Sequence, residues 1–119
     1  MEKVSDLFLY AEKLFKHAGV YLMLSDGMPC GITCFYANDM LKRTGFISLI
    51  GVKAAFRRGG YVKKLILYTE SKMLEEGMTA VRLEVAKNNL NAIGFYRHMG
   101  YTPDSETENG FYMVKDITL

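Results

Sequence analysis

The chain has 119 residues, half of them hydrophobic, which predicts a single globular domain over residues 1–119 and excludes a disordered chain. The formal net charge of +2 is too small to indicate nucleic-acid binding. Charged residues interrupt the N-terminus, and no apolar run reaches the length of a membrane span, so neither a signal peptide nor a membrane anchor is expected. We therefore expect a cytoplasmic protein.

The N-terminal half predicts one helix followed by three strands. Helical spacing of apolar residues indicates a helix over residues 5–18, and Asp26-Gly27 is typical of a hairpin turn between two strands. A third, almost continuously apolar segment is typical of a central strand. The predicted strands are Val20–Ser25, Ile32–Ala37 and Phe46–Val52.

The C-terminal half alternates between helices and strands. The predicted elements are a helix over Tyr61–Glu76, a strand over Thr79–Ala86, a short helix over Ala92–Met99 and a strand over Phe111–Ile117. The apolar face of the long helix is predicted to comprise Val62, Leu65, Ile66, Thr69, Met73 and Leu74. The segment Asp104–Gly110 reads as a charged turn. The full order is α-β-β-β-α-β-α-β.

Two cysteines, Cys30 and Cys34, are four residues apart. On a strand that separation is roughly 13 Å, which is too far for a disulfide, so both are predicted to be buried free thiols. Neither His17 nor His98 has the spacing of a metal ligand. No metal site is expected.

A basic, glycine-rich turn directly precedes the long helix in the stretch FRRGGYVKKL, residues 56–65. A helix N-terminus carries unpaired N–H groups and partial positive charge, so it favours an anion, and glycines allow close approach to the backbone. A phosphate group is the natural ligand. Neither a Walker A motif nor a dinucleotide-binding fingerprint is present.

Two sequence blocks resemble those of the GNAT superfamily of N-acetyltransferases. The first, Arg57-Arg58-Gly59-Gly60-Tyr61-Val62, matches the first and fourth positions of the pyrophosphate loop Arg/Gln-x-x-Gly-x-Gly/Ala and differs at the sixth. The second is LEVAKNNLNAIGFYRHMGY, residues 83–101. In this block the family positions are filled by Asn89, Ala92, Tyr96, Gly100 and Tyr101.

The resemblance implies an α/β (α+β) fold with a mixed central sheet flanked by helices. Two parallel strands, Phe46–Val52 and Thr79–Ala86, would splay apart to admit acetyl-CoA as co-substrate. Backbone groups of Ile50 and Val52 would contact the pantetheine arm, and the Ile50 amide would donate to the thioester oxygen. The resemblance further implies a pyrophosphate site formed by Arg57, Arg58, Gly59, Gly60, Tyr61, Val62 and Lys63.

Tyr96 resembles the general acid of the family, and Asn89 resembles a residue that hydrogen-bonds the cofactor. Each has a structural alternative, because Tyr96 lies among aromatic residues that suit a core and Asn suits turns and helix caps. Glu84 lies in a region that suits a site residue, but it is explained equally well as part of the polar face of its strand. Phe46 and Ser48 occupy the stretch where several relatives carry a glutamate base.

The expected activity is transfer of acetyl from acetyl-CoA to a primary amine of a small molecule or protein by direct attack. The loop Asn38–Gly45 and the turn Asp104–Asn109 are expected to border the acceptor site, where Glu106 and Glu108 could attract a cation. Relatives usually begin with a strand and two helices, whereas one helix is predicted here, so a homodimer could complete the site. The alternative is a degenerate acyl-CoA-binding module, because Val62 replaces a small residue.

Overall fold

The computed structural model describes residues 19–118, so the helix predicted over residues 5–18 lies outside the described residues. The six strands are β1 Gly19–Ser25, β2 Met28–Tyr36, β3 Thr44–Val52, β4 Ala80–Ala86, β5 Thr102–Glu106 and β6 Gly110–Asp116. Within residues 19–118 the α-helices are α1 Tyr61–Glu75 and α2 Leu90–His98, and a short 3-10 helix spans Ala54–Phe56.

The strands form one mixed sheet in the order β1-β2-β3-β4-β6-β5. Among the described strands only the β3–β4 pair is parallel, and α1 provides the crossover that such a pair requires. All other neighbours are antiparallel. The predicted mixed sheet flanked by helices is confirmed.

The predicted hairpin turn is also confirmed. Asp26 and Gly27 both have positive φ, 51° and 78°, as the tight two-residue hairpin turn requires. Strand β2 begins four residues earlier than the predicted Ile32. Cys30 and Cys34 on this strand are buried free thiols, as predicted, and burial raises the pKa of Cys34.

Both helices pack against the same face of the sheet, where the main core lies. Ile66 and Met73 of α1 meet alternate residues of β4, and α2 contributes partly buried side chains to the same cluster. The predicted face of α1 was wrong at Leu74, which is 49% exposed, and it omitted Glu70, which is only 6% exposed. A charged residue at a buried position requires partners that the local pattern does not reveal.

The prediction of a charged turn over Asp104–Gly110 was wrong in its first half. Residues Thr102–Glu106 form the edge strand β5, and the turn begins only at Thr107. All five residues of β5 are exposed, so no buried face imposes an alternating pattern, and Pro and Asp are poor strand formers. Pairing with β6 therefore determines this strand.

We expect Ile66→Ala to lower the free energy of unfolding by about 2–5 kcal/mol, because Ile66 is fully buried in the core. Leu67→Ala is the matched control, since Leu67 follows it on the same helix and is 44% exposed. Urea unfolding followed by circular dichroism measures both changes. Equal losses in the two variants would contradict the assigned core.

Candidate active site

A cleft opens where β3 and β4 stop pairing. Their parallel ladder runs from Thr44↔Ala80 to Ile47↔Leu83 and then ends. The next residue, Ser48, is an extra residue on β3 in its pairing with β2, and its hydroxyl donates to the Cys34 carbonyl oxygen at 3.1 Å. Such a bulge bends its strand. The bulge therefore lies where β3 leaves β4, as the expected splay requires.

Two adjoining cavities occupy this cleft. The strand cavity, about 250 Å³, lies between the diverging strands, and its walls include Ile47, Ser48, Glu84 and Val85. The loop cavity, about 550 Å³, extends towards the glycine turn. Residues common to both walls are Ile50, Asn89, Ala92 and Tyr96. The cleft thus joins the two sequence blocks that lie far apart in the chain.

The backbone of β3 presents hydrogen-bonding groups to this cleft. The Lys53 N–H donates to the Cys30 carbonyl oxygen at 2.8 Å, which places Lys53 in a hydrogen-bonded pair with β2. Because such pairs alternate along an antiparallel ladder, the N–H and C=O groups of Ile50 and Val52 point away from β2. They face the side from which β4 has diverged. An extended ligand could pair with them as an added strand.

The glycine turn ends the loop cavity at the start of α1. Gly60 is the N-cap with φ of 73° and no side chain to cap the helix, and the first helical bond runs from the Lys64 N–H to the Gly60 carbonyl. The amides of Tyr61, Val62 and Lys63 therefore have no acceptor within the helix. No atom lies within 4 Å of the place where a Gly60 Cβ would stand. The turn can accommodate an anionic group.

Positive side chains surround this turn. Arg57, Arg58 and Lys63 are exposed, as are both glycines, and Arg57 also contributes to the wall of the loop cavity. Lys64 lies 5.6 Å from the centre of the Tyr61 ring. Val62 packs against the core and also lines the loop cavity.

Tyr96 stands at the junction of the two cavities. Its ring contacts the rings of Phe95 and Tyr101 at centroid distances of 5.5 and 5.7 Å. Within residues 19–118 its hydroxyl has no hydrogen-bond partner. Burial raises the pKa of Tyr96 above its ordinary 10.0, so the hydroxyl keeps its proton at neutral pH. It can donate that proton to a group in the cleft.

Asn89 and Glu84 complete the polar groups of the cleft. The Asn89 side chain caps α2 by accepting a hydrogen bond from the Ala92 N–H at 3.2 Å, and Asn89 also lines both cavities, so its contact with the cofactor stays a prediction. Glu84 is exposed and is the one carboxylate among the described residues that line the two cavities. The alternating pattern of its strand does not distinguish Glu84 from other polar residues, so the sequence alone did not mark it as a site residue. His98 is exposed and lines neither cavity.

A family model described as "Acetyltransferase (GNAT) family" matches residues 2–101, which is most of the chain. The chain belongs to the GNAT acetyltransferase family. The match spans both the glycine turn and Tyr96, and so covers both blocks that suggested the resemblance. A search of curated proteins found no match.

Solved structures of GNAT proteins share the fold. The PaiA N-acetyltransferase of Thermoplasma acidophilum in complex with coenzyme A is 18% identical, with a TM-score of 0.77 over 94% of this chain and 70% of that one. The ribosomal-protein-S18-alanine N-acetyltransferase of Escherichia coli is 16% identical, with a TM-score of 0.76 over 99% and 92%. A Bacillus subtilis acetyltransferase in complex with CoA is 14% identical, with a TM-score of 0.75 over 90% and 82%.

Within residues 19–118 no helix has the length and apolar character needed to cross a membrane. The same residues contain no group of three or more His, Cys, Asp and Glu side chains placed to hold a metal ion.

Proposed function

We propose that this GNAT protein transfers an acetyl group from acetyl-CoA to a primary amine. The observation that carries the proposal is the cleft, which runs from Tyr96 between the splayed strands to the basic glycine turn at the start of α1. An elongated ligand with a reactive end and a phosphate-bearing end fits this arrangement. Two solved GNAT structures with the same fold contain coenzyme A.

In the proposed complex, the pantetheine arm pairs with backbone groups of Ile50 and Val52. The Ile50 amide donates to the thioester oxygen and stabilises the charge that develops there. The pyrophosphate binds the backbone from Arg58 to Lys63, where helix amides and nearby cations favour an anion. Arg57, in the wall of the loop cavity, adds positive charge beside it.

The amine nitrogen then attacks the thioester carbonyl carbon directly, and the carbon–sulfur bond breaks as the carbon–nitrogen bond forms. The departing sulfur takes the proton of the Tyr96 hydroxyl, and the nitrogen loses one proton. We assign Glu84 as the acceptor of that proton, because Glu84 lines the same cavity as Tyr96 and is an acidic residue there. The products are an acetamide and coenzyme A with a free thiol.

The acceptor is proposed to enter from the opposite face of the sheet, through a third cavity of about 410 Å³. This far-face cavity is lined by Asp39, Lys42, Thr44, Gly45, Phe46, Arg82, Asp104 and Val114. It brings together the two segments predicted to border the acceptor site. Phe46 and Arg82, which line this cavity, form the second-to-last pair of the parallel β3–β4 ladder. The far-face cavity therefore lies next to the point where the two strands separate and the cleft begins.

The far-face cavity carries charges of both signs, with Lys42 and Arg82 beside Asp39 and Asp104. Asp39 and Asp104 contribute carboxylates, although Asp104 also pairs with Arg82 at 3.3 Å. Arg82 itself lies over the Tyr112 ring at 3.9 Å. Glu106, which was also expected to attract a cation near the acceptor site, pairs with Lys87 at 3.1 Å instead and does not line this cavity. Among the described residues Asp39 forms no ion pair, although its Oδ1 accepts a hydrogen bond from the Lys42 N–H at 3.1 Å, so we propose Asp39 as the carboxylate that attracts an amine.

Calorimetric titration with acetyl-CoA, compared with dephospho-CoA and ATP, tests the first half of the proposal. Saturable binding of acetyl-CoA is expected, and its absence at millimolar ligand would rule the proposal out. The second half is tested by release of the CoA thiol in the presence of small amines, polyamines and peptides with free amino groups. Acetylated products are identified by mass spectrometry.

The alternative function is a degenerate module that binds acetyl-CoA without transferring acetyl. It is favoured by Val62, a β-branched residue that stands at the sixth loop position and lines the loop cavity. Binding without thiol release for any amine would support this alternative. The homodimer and the cytoplasmic location remain predictions from sequence, and sedimentation of the purified protein tests the first.

Glu84→Gln is expected to lower kcat by about 100-fold, because the amide cannot accept the proton of the attacking amine. Glu75→Gln is the control, since Glu75 is an exposed carboxylate near the end of α1, outside all three cavities. A Glu84→Gln enzyme with the kcat of the Glu75→Gln enzyme would contradict the assigned base.

A further inference from the structure

The end of α2 ties Tyr96 to Tyr101. Gly100 has φ of 100°, and its N–H donates to the Arg97 carbonyl at 3.0 Å, while the Tyr101 N–H donates to the Tyr96 carbonyl at 2.9 Å. These two bonds form a Schellman motif, in which the residue after the glycine commonly packs on the residue five positions earlier. Here that contact is the edge-to-face pair of the Tyr96 and Tyr101 rings.

Tyr101 is in turn held by a buried carboxylate. Its hydroxyl donates to Glu70 Oε2 at 2.7 Å, and Lys115 Nζ donates to Glu70 Oε1 at 2.8 Å. Tyr101 is 1% exposed and Glu70 is 6% exposed. The three residues connect α1, the end of α2 and β6. Both carboxylate oxygens of Glu70 therefore have partners on other elements of the fold.

Stability alone does not account for this arrangement. The Glu70 carboxylate loses hydration although the side chain of its partner Lys115 remains 20% exposed, and well-packed apolar residues in place of such an ion pair are often as stable or more so. A fully hydrogen-bonded buried network does, however, restrict its members to one geometry. The geometry restricted here is that of Tyr101, whose ring and backbone both contact Tyr96. Among the described residues, Tyr101 is the one that belongs to this network and also contacts both the ring and the carbonyl of Tyr96.

We propose that Glu70, Tyr101 and Lys115 form a positioning network that holds the Tyr96 hydroxyl at the junction of the strand and loop cavities. The inference rests on the proposed acetyl transfer, in which Tyr96 donates its proton to the departing sulfur. The three residues act through Tyr96 and do not line the cleft. Burial and the Glu70 carboxylate both raise the pKa of Tyr101, so its hydroxyl remains the donor to Glu70.

Tyr101→Phe tests the network, because it removes the bond to Glu70 and keeps the ring against Tyr96. We expect kcat to fall about tenfold, since small misplacements of a reacting group reduce rates by such factors, while KM for acetyl-CoA stays unchanged. In a Tyr96→Phe background the same change should have no further effect on kcat. A merely structural role would lower kcat equally in both backgrounds, and that result would overturn the proposal.

Two further variants sharpen the comparison. Glu70→Gln keeps an acceptor for the Tyr101 hydroxyl and should retain more activity than Glu70→Ala. Tyr68→Phe is the control for loss of a tyrosine hydroxyl, because Tyr68 is 62% exposed on α1 and lines none of the three cavities. Its kcat should equal that of the wild type. Thermal unfolding of each variant shows that the comparisons are made on folded protein.

A second readout does not depend on turnover. In protein labelled with ¹³C-tyrosine, the Tyr96 ring signals, assigned with Tyr96→Phe, should shift or broaden in Tyr101→Phe and stay unchanged in Tyr68→Phe. Unchanged Tyr96 signals in Tyr101→Phe would overturn the network even if acetyl transfer is established. Absence of transfer in the wild type with the expected NMR change would instead overturn the proposed function and leave the network supported.

Discussion

Replacing Tyr96 by Phe is expected to lower kcat for acetyl transfer by at least about 100-fold, the contribution typical of a general acid. The change removes one hydroxyl and keeps the ring that packs between Phe95 and Tyr101, so affinity for acetyl-CoA and stability should change little. Because burial raises the pKa of Tyr96, the wild-type acid should be lost only as pH rises through that raised pKa, above its ordinary 10.0.

Thiol release at saturating acetyl-CoA measures kcat, and calorimetry on the same preparations measures binding. Tyr68→Phe serves as the control here as well, because Tyr68 is exposed and lines neither cavity of the cleft. A Tyr96→Phe enzyme with wild-type kcat would show that Tyr96 is only a core aromatic residue. Loss of binding together with kcat would show that it shapes the cavity and supplies no proton.

Gly60→Asp is expected to raise the Kd for acetyl-CoA by at least about 100-fold, because a carboxylate beside the free amides of α1 repels a phosphate and competes for its site. The structure leaves open space where the new side chain would project. The same substitution also forces a non-glycine residue into the left-handed region at φ of 73°. That strain has a cost in stability of about 1–2 kcal/mol, which must be separated from the effect on binding.

Gly27→Asp provides that separation. Gly27 has φ of 78° at the tip of the β1–β2 hairpin, and likewise no atom lies within 4 Å of its would-be Cβ. Both variants should therefore lose similar stability in thermal unfolding, whereas only Gly60→Asp should lose acetyl-CoA binding. Equal affinities in the two variants would place the pyrophosphate elsewhere.

Local sequence chemistry determined a large part of this protein. Apolar periodicity marked most strands and both described helices, and the Asp26-Gly27 pair marked the hairpin turn that the structure contains. The basic glycine turn and the block containing Tyr96 identified the family, and the structure places both along one cleft. Such features are readable because backbone preferences and helix termini depend on residues close together in the chain.

Other features depended on contacts between distant segments. The edge strand β5 has no buried face and exists through its pairing with β6, and the far-face cavity joins Asp39 to Asp104. The burial of Glu70 is satisfied only by Tyr101 and Lys115, which lie 31 and 45 residues away. No local pattern encodes such pairs, because each partner is an ordinary polar residue until the sheet and helices bring them together. Only the tertiary structure could decide them.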